Sequence, residues 1–352
     1  MAEFCGDIRA SYIEEETIFK TKMIRLCIIV LVFVLGISGL FLSGYMLHLL
    51  ISIGIVIIGA IGLNIITGST GLISFGHGAF IGVGAYTAAI LSDRLGIPFI
   101  LSLFLSGLAA SWVGMIFGLP SLRIKGLYLL MATLAAQVII NFLMLNWRSL
   151  TKGAYGYAVP PASIFGYKFD SEVKYYYLVF ILVLFFTFFA SNIIRSRYGR
   201  AFVAIRDHDV AANLIGVNLF KYKTIAYAVG SFYAGIAGAL MAHYQRVVSP
   251  EHFPLWLSIE YLAMVIVGGL GSIMGSIYGA IFITLIPEFL RTLLEVHMVK
   301  FIPSVKVAGA FPQIREILFG LIIVLFLIFE PHGLAEIHRR VKKYFKLWPF
   351  NY

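Results

Sequence analysis

The stretch "YMLHLLISIGIVIIGAIGLNII" (45–66) holds 22 residues without a single Asp, Glu, Lys or Arg. A helix of this length crosses the hydrocarbon core of a bilayer, which takes about 20 apolar residues. Similar apolar segments recur along the 352-residue chain at 26–42, 72–91, 97–119, 127–145, 175–193, 224–242, 255–270, 273–294 and 317–329. The runs are continuous and do not alternate, which argues against a membrane β-barrel. With 60% hydrophobic and only 12% charged residues, the chain lies far outside soluble composition. The 34 glycines suit a bundle whose helices approach closely. The predicted fold class is an all-α polytopic membrane protein. A basic start (Lys20, Lys22, Arg25) before 26–42 could imitate a signal peptide, but a second span follows at once, so a retained first helix is expected.

The net charge of +10 would raise nucleic acid as a partner for a soluble protein. Here it sorts by topology. Ten crossings with both termini cytoplasmic put the N-terminal tail (1–22), Arg123 and Lys125, the basic residues of the loop 195–223 and the basic tail (335–352) inside, leaving the smaller share of the 27 Lys and Arg outside. Nine crossings would expose the tail "HRRVKKYFK" (338–346), which reads as an anchor to anionic lipid and not as a nucleic-acid site. The glycine cluster "GGLGS" (268–272) predicts a break between two helices inside 255–294. The permease domain then spans 23–334. Cys5 and Cys27 are not placed as a disulfide framework, and no metal-ligand spacing, Walker loop or nucleophile pair is present. An enzyme is therefore a weak reading.

The largest inner loop contains "GRAFVAIRDHDVAANLIGVN" (199–218). Two short helices meeting at "RDHD" are predicted. Arg206 would close the first and Asp207 and Asp209 would open the second, with Asp209 as N-cap, so that each charge complements a helix dipole. Gly216 suits the stop of the second helix. Phe202, Val203, Ile205, Val210, Ala211, Leu214 and Ile215 supply apolar surface. A loop lying in the headgroups and a docking element for a cytoplasmic partner both fit this pattern.

The middles of the spans carry no Asp, Lys or Arg, which speaks against an ion-coupled carrier relying on an intramembrane relay. The polar residues there are Asn64, His77, Thr133, Gln137 and Asn141. Thr133, Gln137 and Asn141 share one helix face by their four-residue spacing. That face could line a path or bond helices together, and His77, within "SFGHGAF", reads more readily as a packed histidine than as a substrate contact. Gly76 and its neighbouring glycines permit close crossing, Tyr86 and Tyr128 are interface or path aromatics, and Glu260 sits toward an outer helix end.

Five blocks, in order, resemble the branched-chain amino acid ABC importer permeases of the LivM type: 62–91, 122–143, 199–253, 258–291 and the close "FEPHGL" (329–334). The resemblance implies a type II ABC importer-like permease in a bacterial or archaeal cytoplasmic (inner) membrane. It implies a second homologous, LivH-like permease, two ABC ATPase subunits that bind ATP and Mg, and an extracytoplasmic solute-binding protein. No cofactor is implied for the chain itself. It further implies that Gly199, Arg200, Ala204, Arg206, Asp207, Asp209, Ala212 and Gly216 belong to the ATPase-coupling helices. Branched-chain or other apolar amino acids are the implied cargo. Urea, short amides and other amino acids are alternatives, and a stand-alone secondary carrier is the competing class. Asn64, Gly76, His77, Tyr86, Tyr128, Thr133, Gln137 and Glu260 are the candidate path residues.

Overall fold

The computed structural model describes residues 22–122, 124, 126–164, 166–301, 311–330 and 333–347. The N-terminal tail to residue 21, Arg123, Lys125, Pro331, His332 and the last five residues lie outside the described part. The helices are α1 (Lys22–Phe41), α2 (Gly44–Leu63), α3 (His77–Arg94), α4 (Phe99–Gly118), α5 (Leu127–Asn146), α6 (Glu172–Arg195), α7 (Arg197–Leu214), α8 (Leu219–Gln245), α9 (Leu255–Gly268), α10 (Ile273–Phe301), α11 (Phe311–Phe329) and α12 (Leu334–Leu347). Among the described residues, six helical stretches are long and apolar enough to cross a bilayer: Gly44–Ser69, Phe99–Gly118, Leu127–Asn146, Glu172–Arg195, Leu219–Gln245 and Ile273–Leu290.

Each predicted segment carries a helix, with two instructive differences. α2 does not stop at Leu63 but widens into one π turn, Asn64–Ser69. The third segment, expected from residue 72, becomes helical only at His77, so His77 opens that helix and does not sit inside it. Gly71 has a φ of +72°, and the backbone from Gly71 to Gly76 is non-helical. The break at 268–272 is present: Gly269 and Gly271 take φ values of +115° and +79°, which side-chain-bearing residues rarely adopt.

α8 is the central helix and packs against α2, α3 and α4. Small residues make this possible. A Cβ on Gly235 would lie 2.6 Å from the Ala110 Cβ and 2.7 Å from the Ser106 carbonyl, so α4 and α8 touch nearly backbone to backbone. Outward, α4, α5 and α6 present exposed Leu108, Trp112, Phe142, Phe185 and Phe188, a surface suited to lipid tails. At the far end from α7, two short antiparallel pairs close the bundle. β1 (Tyr157–Ala158) pairs with β4 (Val247–Val248), and β2 (Ser163–Ile164) pairs with β3 (Tyr167–Lys168).

The close crossing generates a test. Gly235→Leu forces a branched side chain into the α4–α8 contact, where overpacking costs about 1–3 kcal/mol or more. The melting temperature of the detergent-solubilised protein should fall, whereas Leu108→Ala on the outer face should leave it near wild type.

Candidate functional site

Several buried polar side chains of the bundle gather where helices break. Breaking a helix frees backbone donors and acceptors, and in an apolar interior these need partners. α3 begins inside the bundle, and its first N–H groups have no intrahelical acceptor. Side chains from two other helices supply them. The Ser258 Oγ accepts the Gly78 N–H at 2.8 Å, and the Gln137 Oε1 accepts the Ala79 N–H at 2.6 Å. The Ser258 hydroxyl donates to the same Gln137 oxygen at 3.1 Å, and the Gln137 amide donates to the Phe253 carbonyl at 2.9 Å. One turn earlier on α5, the Thr133 Oγ1 accepts the Phe75 N–H at 3.0 Å. His77 is fully buried, with its Nε2 2.9 Å from the Gly59 carbonyl and its ring against Tyr261 at 5.2 Å.

Gly76, His77, Thr133 and Gln137 thus meet in one buried cluster around the start of α3, joined by Ser258. Tyr86 lies deeper along α3, buried beside Phe253 at 6.4 Å. The His77 Nδ1 and the Tyr86 hydroxyl have no hydrogen-bond partner in the structure. Glu260 is partly buried on α9. Tyr128 is not brought to the cluster, being 75% exposed in the first turn of α5. Asn64 serves a different break. Its side chain accepts the Gly271 N–H and donates to the Ser272 carbonyl, both at 2.8 Å, and so ties the end of α2 to the α9–α10 turn.

That turn lies at the same end of the bundle as α7, the second candidate site. The Ser196 side chain caps α7 by accepting the Tyr198 N–H at 3.1 Å. Gly199 follows at once because a Cβ there would run into the Ile194 carbonyl. The helix then breaks at His208, whose φ and ψ of −161° and 97° are extended. An N-cap residue has this backbone, so His208 holds the N-cap position predicted for Asp209, and Asp209 opens the second half. The Asp209 carboxylate faces the Lys223 ammonium at 3.9 Å, with Lys223 almost entirely buried. A buried cation is tolerated only beside a counter-charge. Arg206 closes the first half, as its position predicts. Its Nη1 donates to the Gly68 carbonyl at 3.0 Å, and its Nε lies 3.1 Å from the Asp207 carboxylate.

The second half ends in a Schellman motif. The Val217 N–H reaches back to the Ala212 carbonyl at 2.9 Å and the Gly216 N–H to the Asn213 carbonyl at 3.1 Å, with Gly216 at φ +92°. The apolar residues divide between two faces. Phe202, Ile205 and Ala212 are buried against the bundle, while Val210, Leu214 and Ile215 point outward at 57%, 82% and 77% exposure. Arg200 and Asp207 are exposed and Ala204 is half-buried. Lys223, Ser258 and Gly68 were missed at the sequence level. Lys223 stands near the start of an apolar helix, a place where a cation signals a partner. Ser258 and Gly68 carry no such signal, because their role depends on which helix they meet.

Residues 45–327 match the family described as branched-chain amino acid transport system / permease component. The chain is 32% identical over 309 residues to the high-affinity branched-chain amino acid transport system permease protein LivM of Escherichia coli K12, covering 81% of this chain and 68% of that one. It is 26% identical over 293 residues to the permease protein BraD of Pseudomonas aeruginosa, with 78% and 89% covered. It is 25% identical over 252 residues to the permease protein LivH of Salmonella typhimurium, with 63% and 77% covered. No solved structure matches the chain. The chain therefore belongs to the permease-component family of the branched-chain amino acid transport systems.

Proposed function

We propose that the chain is the membrane-spanning permease subunit of an ATP-driven importer that moves branched-chain amino acids into the cell by alternating access. The observation that carries this reading is the outward ridge Val210, Leu214 and Ile215 on a short helix whose two ends are fixed. Exposed large apolar side chains on a rigid, non-spanning element mark a docking surface. Here the occupant is an ATPase subunit, one of two, which binds ATP and Mg. Hydrolysis belongs to those subunits, and this chain contributes movement. The names of the related LivM, LivH and BraD proteins support the cargo class.

In this reading the end carrying α7 is cytoplasmic, the bundle makes ten crossings, and both termini lie inside. The membrane is the bacterial or archaeal inner membrane. A second, LivH-like permease completes the pathway, and an extracytoplasmic binding protein delivers solute to the face closed by β1–β4. Solute passes the cluster of Gly76, His77, Thr133 and Gln137, with Glu260 and Tyr86 toward the outer side and Asn64 and Tyr128 toward the inner. Opening that path requires Gln137 and Ser258 to release the start of α3, so the cluster acts as a latch as well as a lining.

Two loop variants and a control test the docking part. Leu214→Asp places a charge on the ridge and should cut copurification of the ATPase subunits by about thirtyfold, the scale of losing one central interface contact. Tyr155→Asp, at the opposite end and 92% exposed, should leave copurification intact. Gly216→Val forces a β-branched residue into a left-handed backbone at a cost of about 1–2 kcal/mol. Amino-acid uptake should drop while the protein still inserts. Full uptake in both loop variants would sink the docking role.

A further inference from the structure

The Arg206 side chain leaves α7 and lies across two turns that belong to other helices. Its Nη1 donates to the Gly68 carbonyl at 3.0 Å, in the π turn that ends α2. A Cβ on Gly71 would stand 3.2 Å from the Arg206 Cγ, and one on Gly271 would stand 2.7 Å from its Nη1. Both positions are glycines at positive φ, and a side chain at either would displace the arm from this path. Gly68 and Gly271 also touch each other, since a Cβ on Gly68 would meet the Gly271 nitrogen. Asn64 spans the same junction, bonded to Gly271 and Ser272. The end of α2, the α9–α10 turn and Arg206 form one knot.

Covalent continuity gives α7 a route only to α6 and α8. Through Arg206 it also reaches α2, α9 and α10. The two halves of α7 are held differently: Arg206 fixes the first to the knot, and Asp209 with Lys223 fixes the second to α8. The hinge at His208 lies between them. A charge-assisted bond to a carbonyl is stronger than a neutral one, and π turns inside helices are frequent at functional sites. We propose that Arg206 is a positioning residue through which displacement of the coupling loop is delivered to the junction of α2, α9 and α10. This rests on the docking of α7 to an ATPase proposed above.

The test uses the whole importer reconstituted in proteoliposomes with both permeases, the ATPases and the binding protein. The readouts are radiolabelled leucine taken up per ATP hydrolysed and crosslinking of Leu214→Cys to the ATPase. Arg206→Ala should lower the uptake-to-hydrolysis ratio about tenfold or more, the scale of an allosteric coupling, with the crosslink retained. Arg206→Lys keeps one donor for the Gly68 carbonyl and should lose less. Spin labels at Arg197→Cys, on the first half of α7, and at Leu270→Cys, both exposed sites, read the linkage directly and independently of cargo. With Arg206 present, their separation should hold one value with and without ATP, and Arg206→Ala should broaden it. A normal ratio in Arg206→Ala with the crosslink intact overturns the linkage and leaves docking standing. So does a separation that changes by about 5 Å, a one-turn ratchet, while Arg206 is present. Absence of the crosslink in the otherwise unsubstituted chain removes the docking reading itself.

Discussion

Inside hydrocarbon, a backbone that leaves the helix must find hydrogen-bond partners within the protein. The rest of this structure depends on how two such departures are satisfied. One runs from the π turn at Asn64 to the start of α3 at His77. The other is the glycine turn between α9 and α10. Gln137, Ser258 and Thr133 serve the first, and Asn64 serves the second. These buried polar side chains therefore have a common task, while others, such as Ser106 and Ser231, bond the preceding turn of their own helices. Gln137, Ser258, Thr133 and Asn64 stand where the backbone is broken.

This placement joins stability to movement. A continuous helix through the centre would need no such side chains and would offer no element with two arrangements. A broken one exposes N–H groups that can be bonded by Gln137 and Ser258 in one state and by another acceptor, such as a solute carboxylate or water, in the next. The cost of leaving a buried N–H unbonded is about 1–3 kcal/mol, so Gln137 and Ser258 hold the start of α3 in place without making its release prohibitive. The glycines around α8 have a complementary task. They let α4 and α8 meet almost backbone to backbone, which fixes the central packing.

The helical segments were legible in the sequence because apolar runs announce them, most of them nearly free of charge, and the break at Gly268–Ser272 was legible because clustered glycines cannot continue a helix. The late start of α3 was not. Residues 72–76, "LISFG", look like the beginning of the apolar run, and only the contact with Thr133 and the conformation of Gly71 reveal them as non-helical. The loop shows the same division. Gly216 as a stop was readable from local chemistry, but His208, not Asp209, takes the capping backbone because Asp209 is drawn to Lys223, fourteen positions away. Spacing along one helix placed Thr133 and Gln137 on a shared face. That their partners are Phe75, Ala79 and Ser258 is a fact of tertiary packing, which periodicity does not contain.

The charge pattern of α7 follows from the same constraint. Its outward ridge is apolar, yet Arg206, Asp209 and the buried Lys223 tie its other face to the bundle. A helix held to the bundle by apolar contacts alone could slide, because such contacts are non-directional. An Arg that needs the Gly68 carbonyl and a Lys that needs the Asp209 carboxylate admit far fewer positions. Fixing the inner face by directional charge contacts leaves the outer face free to be apolar and to bind. An element built this way transmits displacement, because it cannot absorb a push by slipping against the helices that carry it.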